Sequence, residues 1–255
     1  QKRALKLLCF DVVDQERMEM AVSRFFREVG AVASIGHQNI VRVFEFGEDE
    51  EGRPYLVMEY LTGRSLFDYI FDSGFPVKVR ESLEILRQVA VGIGAAHQSG
   101  IIHRDLKSEN IFLHTESDGT VTIKILDFGV AKFMNNKLLA NISHAQIFGS
   151  PGYMAPEQAR GLTLDGRTDI YALGIIAFEL FTKQLPFMGN TTEVLLAHVQ
   201  KPVPDPQELN PDIPDAVVDF IVTAMQKLPE KRFQSMEEVA SEIYRISQYL
   251  PLNTP

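Results

Sequence analysis

The chain has 255 residues, of which 45% are hydrophobic and 23% charged, a balance that fits a globular protein and argues against disorder. Its 25 basic residues face 34 acidic ones, a net charge of −9, so a polyanion such as nucleic acid is a poor main partner. Cys9 is the only cysteine, which rules out an intramolecular disulfide and suits a reducing compartment.

In chain order, Arg3 to Leu8 reads as a strand. A helix follows, with Val22, Phe25, Phe26, Val29, Val32 and Ala33 on one apolar face, Glu28 at its edge and Gly36 as its stop. Ile40 to Phe46 and Tyr55 to Tyr60 read as two strands joined by a turn over Glu48 to Pro54. Beyond Leu61 the pattern turns helical. Val79 to His97 carries Leu83, Leu86, Ala90 and Ile93 on one face, with Gly100 as its stop. A strand pair over Ile111 to Leu113 and Val121 to Leu126 turns at Asp118-Gly119. A long irregular stretch from Gly129 to Tyr153 is of a length that is usually functional. Helices are then expected over Ile170 to Thr182, Thr192 to Gln200, Ala216 to Lys227 and Met236 to Leu250. The last opens on Ser235 and Glu238 at capping-box spacing. The most apolar of them, Tyr171 to Phe181, is interrupted by Glu179 and is too short to span a bilayer. No signal peptide opens the chain. The expectation is a soluble, cytoplasmic chain, or the cytosolic part of a membrane-anchored parent.

The chemistry concentrates in two runs. His103-Arg104-Asp105-Leu106-Lys107-Ser108-Glu109-Asn110 lies between a helix and a hairpin, and Asp127-Phe128-Gly129 follows the hairpin's second strand. Asn110 and Asp127 offer hard oxygen ligands that suit Mg²⁺. Asp105 is a carboxylate placed to accept a hydroxyl proton, and Lys107 is a cation that can meet developing phosphate charge. Lys6 adds a second cation, with Glu28 as its natural partner. Phosphoryl transfer asks for these parts: metal, cation and base.

These residues resemble those of protein kinases. Ala4-Leu5-Lys6 is similar to the family's strand motif, Glu28 to its helix glutamate, and Ala155-Pro156-Glu157 to the end of its activation segment. Lys107 after Asp-Leu resembles the Ser/Thr kinases, and Met154 to Gly161 resembles their bacterial, eukaryotic-like members. The resemblance covers essentially the whole chain. It implies an α+β, bilobal fold: one kinase domain over 1–255, with a partial N-lobe over 1–60 and the hinge and C-lobe over 61–255.

By residue, the resemblance implies that Lys6, tied by Glu28, holds the α- and β-phosphates of ATP. It makes Asp105 the catalytic base, Asn110 and Asp127 the ligands of Mg²⁺ (or Mn²⁺), and Lys107 the γ-phosphate contact. Met58 is then the gatekeeper and Glu59 and Leu61 the hinge. Ala4 and Phe112 sandwich the adenine, and Ser65 reaches the ribose unless it is only a helix cap. Ser143 is the candidate activating phosphosite, paired with Arg104. Ser150 bridges Asp105 and Lys107, Glu157 and Arg232 form an ion pair, and Asp169 anchors the catalytic loop's backbone. His103 and Phe128 are packing residues. The implied partners are protein substrates bearing Ser or Thr, and a transient homodimer for autophosphorylation in trans. The family's glycine-rich loop lies before the Lys6 strand, where this sequence has only Gln1 to Arg3, and Gly92 and Gly94, inside a helical pattern, cannot replace it. The expectation is that the loop lies upstream in the parent protein. The alternatives are a partner-binding pseudokinase and a small-molecule phosphotransferase on a related fold.

Overall fold

The computed structural model describes residues 2–7, 15–72, 78–128 and 150–250. Cys9, Gly129 and Ser143 lie outside the described residues.

The first lobe is a three-stranded antiparallel sheet with one helix. Strand β1 (Arg3–Leu7) pairs with β3 (Pro54–Glu59), which also pairs with β2 (Val43–Glu48), giving the order β1-β3-β2. The register sets Ala4 opposite Met58 and Lys6 opposite Leu56. Helix α1 (Gln15–Ala33) packs its apolar stripe on this sheet. Phe25 and Val29 meet Leu56, with Phe26, Val43 and Met58 at the margin, and the Phe26 ring stacks on Phe46 at 5.8 Å. The β2–β3 turn is built by Asp49, whose carboxylate accepts from the Glu51 and Arg53 amides. Ile40 falls outside the ladder as an isolated parallel bridge to Ile125, so the second strand begins three residues later than its apolar run.

The second lobe holds a smaller sheet of β4 (Gly63–Ser65), β5 (Ile111–Thr115) and β6 (Val121–Ile125), with helices around it. Strand β4 has three residues, too few to show alternation. Gly63 is required there. Its φ is +134°, and a Cβ would run into the Leu113 carbonyl oxygen. Helix α2 (Leu66–Asp72) follows at once. Helix α3 (Val79–Gln98) packs against β6 and α8 (Met236–Tyr249). Gly92 allows the first contact, because a Cβ on it would come within 2.6 Å of Ile125 Cδ1. Gly92 and Gly94 are therefore helix residues.

The core is organised around α5 (Arg167–Thr182), in which every residue from Thr168 to Thr182 is buried. It is preceded by the single turn of α4 (Pro156–Ala159) and followed by α6 (Thr191–Gln200) and α7 (Asp215–Ala224). A helix apolar all round belongs inside a protein or a membrane. Here protein surrounds it: Ile175, Phe178 and Phe181 are at most 1% exposed, each contributing about 1.5–3 kcal/mol by leaving water. Among the described residues, no helix is long and apolar enough to cross a membrane.

One buried group links this core to pH. His198 of α6 is fully buried, its Nδ1 3.0 Å from the Tyr171 hydroxyl and its ring against Phe187. Burial, reinforced by the Lys227 ammonium, pushes its pKa down to about 4. Between the ordinary value near 6.5 and that lower value, the unfolded chain binds a proton that the folded chain refuses. This contribution is therefore lost as pH falls through that window, by about 3 kcal/mol in all. Glu179 works in the opposite sense, because burial raises its pKa. The comparison that isolates the histidine is urea denaturation of wild type and His198→Gln at pH 7, 6 and 5. The variant should show the flatter dependence, and parallel dependences would refute the assignment.

Candidate functional site

The site begins where the two lobes touch. Lys6 projects from β1 and Asp127 stands two residues beyond β6, 121 positions later, yet its Oδ1 is 2.6 Å from the Lys6 ammonium. Both side chains are close to half exposed, so solvent reaches the pair. Asp127 holds a left-handed backbone conformation, φ +45°, and so does Arg104, φ +64°. Such conformations cost non-glycine residues roughly 1–3 kcal/mol and persist only where the surroundings impose them.

Much of that constraint comes from Asp169 in the first turn of α5. Its buried carboxylate accepts from the amides of His103 and Arg104, each at 2.8 Å, and lies 2.7 Å from His97 Nε2. Burial works to raise its pKa, but these partners leave it below the ordinary carboxylate range. His103 continues the scaffold. The Asp105 amide donates to its Nδ1, so the ring carries its proton on Nε2, which faces the Leu126 carbonyl at 3.0 Å. Burial lowers the His103 pKa and favours this neutral form. The ring also lies against Phe128, centroids 4.6 Å apart. One histidine thus spans the segments that carry Asp105 and Asp127.

Asn110 closes the loop. Its side-chain nitrogen Nδ2 donates to the Asp105 carbonyl at 2.9 Å, and its backbone carbonyl accepts from the Leu126 amide. The side-chain oxygen of Asn110 is then the atom left to meet a cation. Lys107 donates to the Ser150 hydroxyl at 3.0 Å, joining the His103–Asn110 loop to the segment that leads into α4. Gln158 strengthens that junction by donating to the Arg104 carbonyl while accepting from the Ala155 amide.

The residues expected around the adenine lie on β1, β3 and β5 and just after β3. Ala4 and Met58 are register partners, Glu59 ends β3 and Leu61 follows. Phe112 is opposite Ser65 across the β4–β5 pair. The Ser65 hydroxyl is engaged locally, because it accepts from the Asp68 amide and donates to the Asp68 carboxylate at 2.6 Å. It therefore sits at helix-cap spacing for α2, the alternative reading of this residue. Glu28 is half-buried on α1. Glu157 and Arg232 form a buried two-pronged ion pair at 2.8 Å.

Sequence reasoning missed a buried chain beneath the loop. The Ser108 hydroxyl is 2.9 Å from the Tyr153 hydroxyl, which donates to Glu179 at 2.6 Å. The signal was Glu179 itself, since a carboxylate inside an otherwise apolar helix requires a buried donor. Lys124, which meets Glu59, was also missed.

The chain matches the family described as protein kinase domain over residues 1–244. It is 36% identical over 241 residues to serine/threonine-protein kinase PrkC of Bacillus subtilis, covering 94% of this chain and 36% of that protein. It is 42% identical over 217 residues to serine/threonine-protein kinase Pkn1 of Myxococcus xanthus, covering 84% of this chain and 30% of that one. The chain therefore spans about a third of the length of these curated relatives. Among solved structures, the PknI kinase domain of Mycobacterium tuberculosis superposes with a TM-score of 0.71 at 28% identity, covering 95% of this chain and 85% of that one.

Proposed function

The chain belongs to the protein kinase family, of the bacterial Ser/Thr type, and from that premise we propose that it transfers the γ-phosphate of ATP to serine and threonine hydroxyls of proteins. The observation that carries the reading is the meeting of Lys6 and Asp127 across the lobe junction, beside a loop that presents Asp105, Lys107 and Asn110.

In this reading Lys6 holds the α- and β-phosphates, tied by Glu28, and Lys107 meets the γ-phosphate. Asp105 orients the attacking hydroxyl and takes its proton, with Ser150 holding Lys107 in place. Glu59 and Leu61 present backbone groups to the adenine edge, with Ala4, Met58 and Phe112 against its faces. Asp127 and the Asn110 oxygen are hard donors that fit Mg²⁺. When bound, the metal would offset the negative charge of the phosphates. The protein's contribution is positioning and fixed charge. Autophosphorylation in trans, through transient contact of two copies, is part of the proposal.

The test is phosphate incorporation from labelled ATP with Mg²⁺, in the longest natural polypeptide that carries this chain. A generic protein substrate should be labelled, and free sugars and aminoglycosides should not. Lys6→Met should lower kcat/KM about 100-fold, the scale expected for loss of one charge-stabilising group. Labelling of the small molecules in place of protein would move the chain to another phosphotransferase class. No labelling with either Mg²⁺ or Mn²⁺ would leave a binding module.

A further inference from the structure

Lys124 is a buried cation that nothing in the phosphate-transfer scheme uses. It projects from β6, three residues before Asp127, and is 9% exposed. A lysine so placed needs a partner, and its ammonium lies 2.9 and 3.1 Å from the two carboxylate oxygens of Glu59. Glu59 sits at the end of β3, where the chain crosses between the lobes. The same carboxylate accepts from the Arg42 amide at 2.8 Å, and the Glu59 amide donates to the Arg42 carbonyl. The segment before Arg42 is laced to β6 in turn: the Val41 amide donates to the Ile125 carbonyl, and the Ile125 amide to the Asn39 carbonyl. Three stretches of backbone therefore converge on one ion pair: the lobe crossing, the segment leaving α1, and the strand that delivers Asp127.

We propose that Lys124 is a positioning residue for nucleotide binding, fixing the Glu59 backbone against which the adenine docks. The inference rests on the adenine placement proposed above. Without the ammonium, the partly buried Glu59 carboxylate keeps, among the described residues, the Arg42 amide. It turns toward water and takes the crossing strand with it. The second lobe's loop from His103 to Asn110, anchored through Asp169 and His103, stays in place. The effect therefore falls on affinity for the base and spares the transfer step.

The experiment compares wild type, Lys124→Met, Lys124→Arg and Glu59→Gln in the longest natural polypeptide that carries the chain. Lys124→Met should raise the KM for ATP about tenfold, within the coupling range of contacting residues, with kcat within about twofold. Adenosine, as a competitor, should lose affinity by the same factor, because the defect is at the base. Lys124→Arg should recover most of the loss, and Glu59→Gln should raise the KM as well. If Lys124→Met does not fold, the arginine and glutamine variants carry the test. An unchanged KM would overturn the proposal. So would loss of ATP affinity with adenosine affinity intact, or a fall in kcat and thermal stability with no change in KM. If wild type binds neither ATP nor adenosine, the adenine placement itself fails. If wild type binds both and the variants match it, only the role of Lys124 fails.

Discussion

Replacing Asp105 by asparagine is expected to lower kcat for protein phosphorylation by about three orders of magnitude, with nucleotide affinity within about twofold of wild type. The substitution keeps size and shape. Two of this residue's loop contacts run through its backbone: its amide donates to His103 and its carbonyl accepts from Asn110. Those bonds survive the change, as do the two amide bonds to Asp169 that fix the preceding residues. What disappears is a carboxylate able to take the proton of an attacking hydroxyl. A neutral amide can still accept a hydrogen bond, so the hydroxyl stays roughly oriented, but it has no base to receive its proton. Steady-state kinetics on a protein substrate, paired with calorimetric titration of an ATP analogue, separates the two effects. A variant with kcat within threefold of wild type would remove Asp105 from the chemistry. A variant that loses nucleotide binding to the same degree would make it a structural residue.

What the sequence displayed depended on how local the information was. The octapeptide from His103 to Asn110 is contiguous, so it stood out as one loop, and the contact of Asn110 with the Asp105 carbonyl stays within it, whereas Lys107 meets Ser150 from 43 residues away. The long helices were legible from their periodicity, since α3 and α8 each bury one face. The first lobe's outline was legible too, although the second strand starts at Val43 and not Ile40, because apolar character continues through a segment that bonds to β6 instead of to the sheet. Helix α5 was legible as apolar, but periodicity cannot tell what surrounds such a helix.

The contacts that organise the site were harder to read. Nothing local announces that Lys6 meets Asp127, or that Lys124 meets Glu59, because each pair is made by closing a fold over 121 and 65 residues. The buried sequence Ser108–Tyr153–Glu179 has the same character. Ser65 shows the reverse case. The resemblance implied a ribose contact, with a helix cap as the alternative, and the Asp68 that engages its hydroxyl lies only three residues on, at helix-cap spacing. The local reading was available and describes the geometry.

The largest expected loss of stability follows from breaking the pair between Glu157 and Arg232. The guanidinium is fully buried and meets both Glu157 oxygens at 2.8 Å, and it also donates to the carbonyls of Arg167 and Gln226. Its face lies 4.8 Å above the Tyr171 ring. Arg232→Met keeps much of the packing but leaves a buried carboxylate with, among the described residues, the Thr168 hydroxyl as its remaining side-chain donor. Removing one partner of a buried pair costs about 3–5 kcal/mol, because the other charge is stranded. The cost should depend on pH. Burial works to raise the Glu157 pKa, but Arg232 holds it below the ordinary value. In wild type its contribution is therefore present above the unfolded carboxylate range and lost as pH falls through it. In the variant the stranded carboxylate can take up a proton, so the gap between the two proteins should narrow from pH 7 toward pH 5. Replacing both residues, as Glu157→Leu with Arg232→Met, should cost less than the sum of the single changes, because no charge is then left buried. Urea denaturation at the two pH values decides the matter. A loss below about 1 kcal/mol at pH 7, or a gap that widens on acidification, would show that the pair does not lock α4 to the segment before α8.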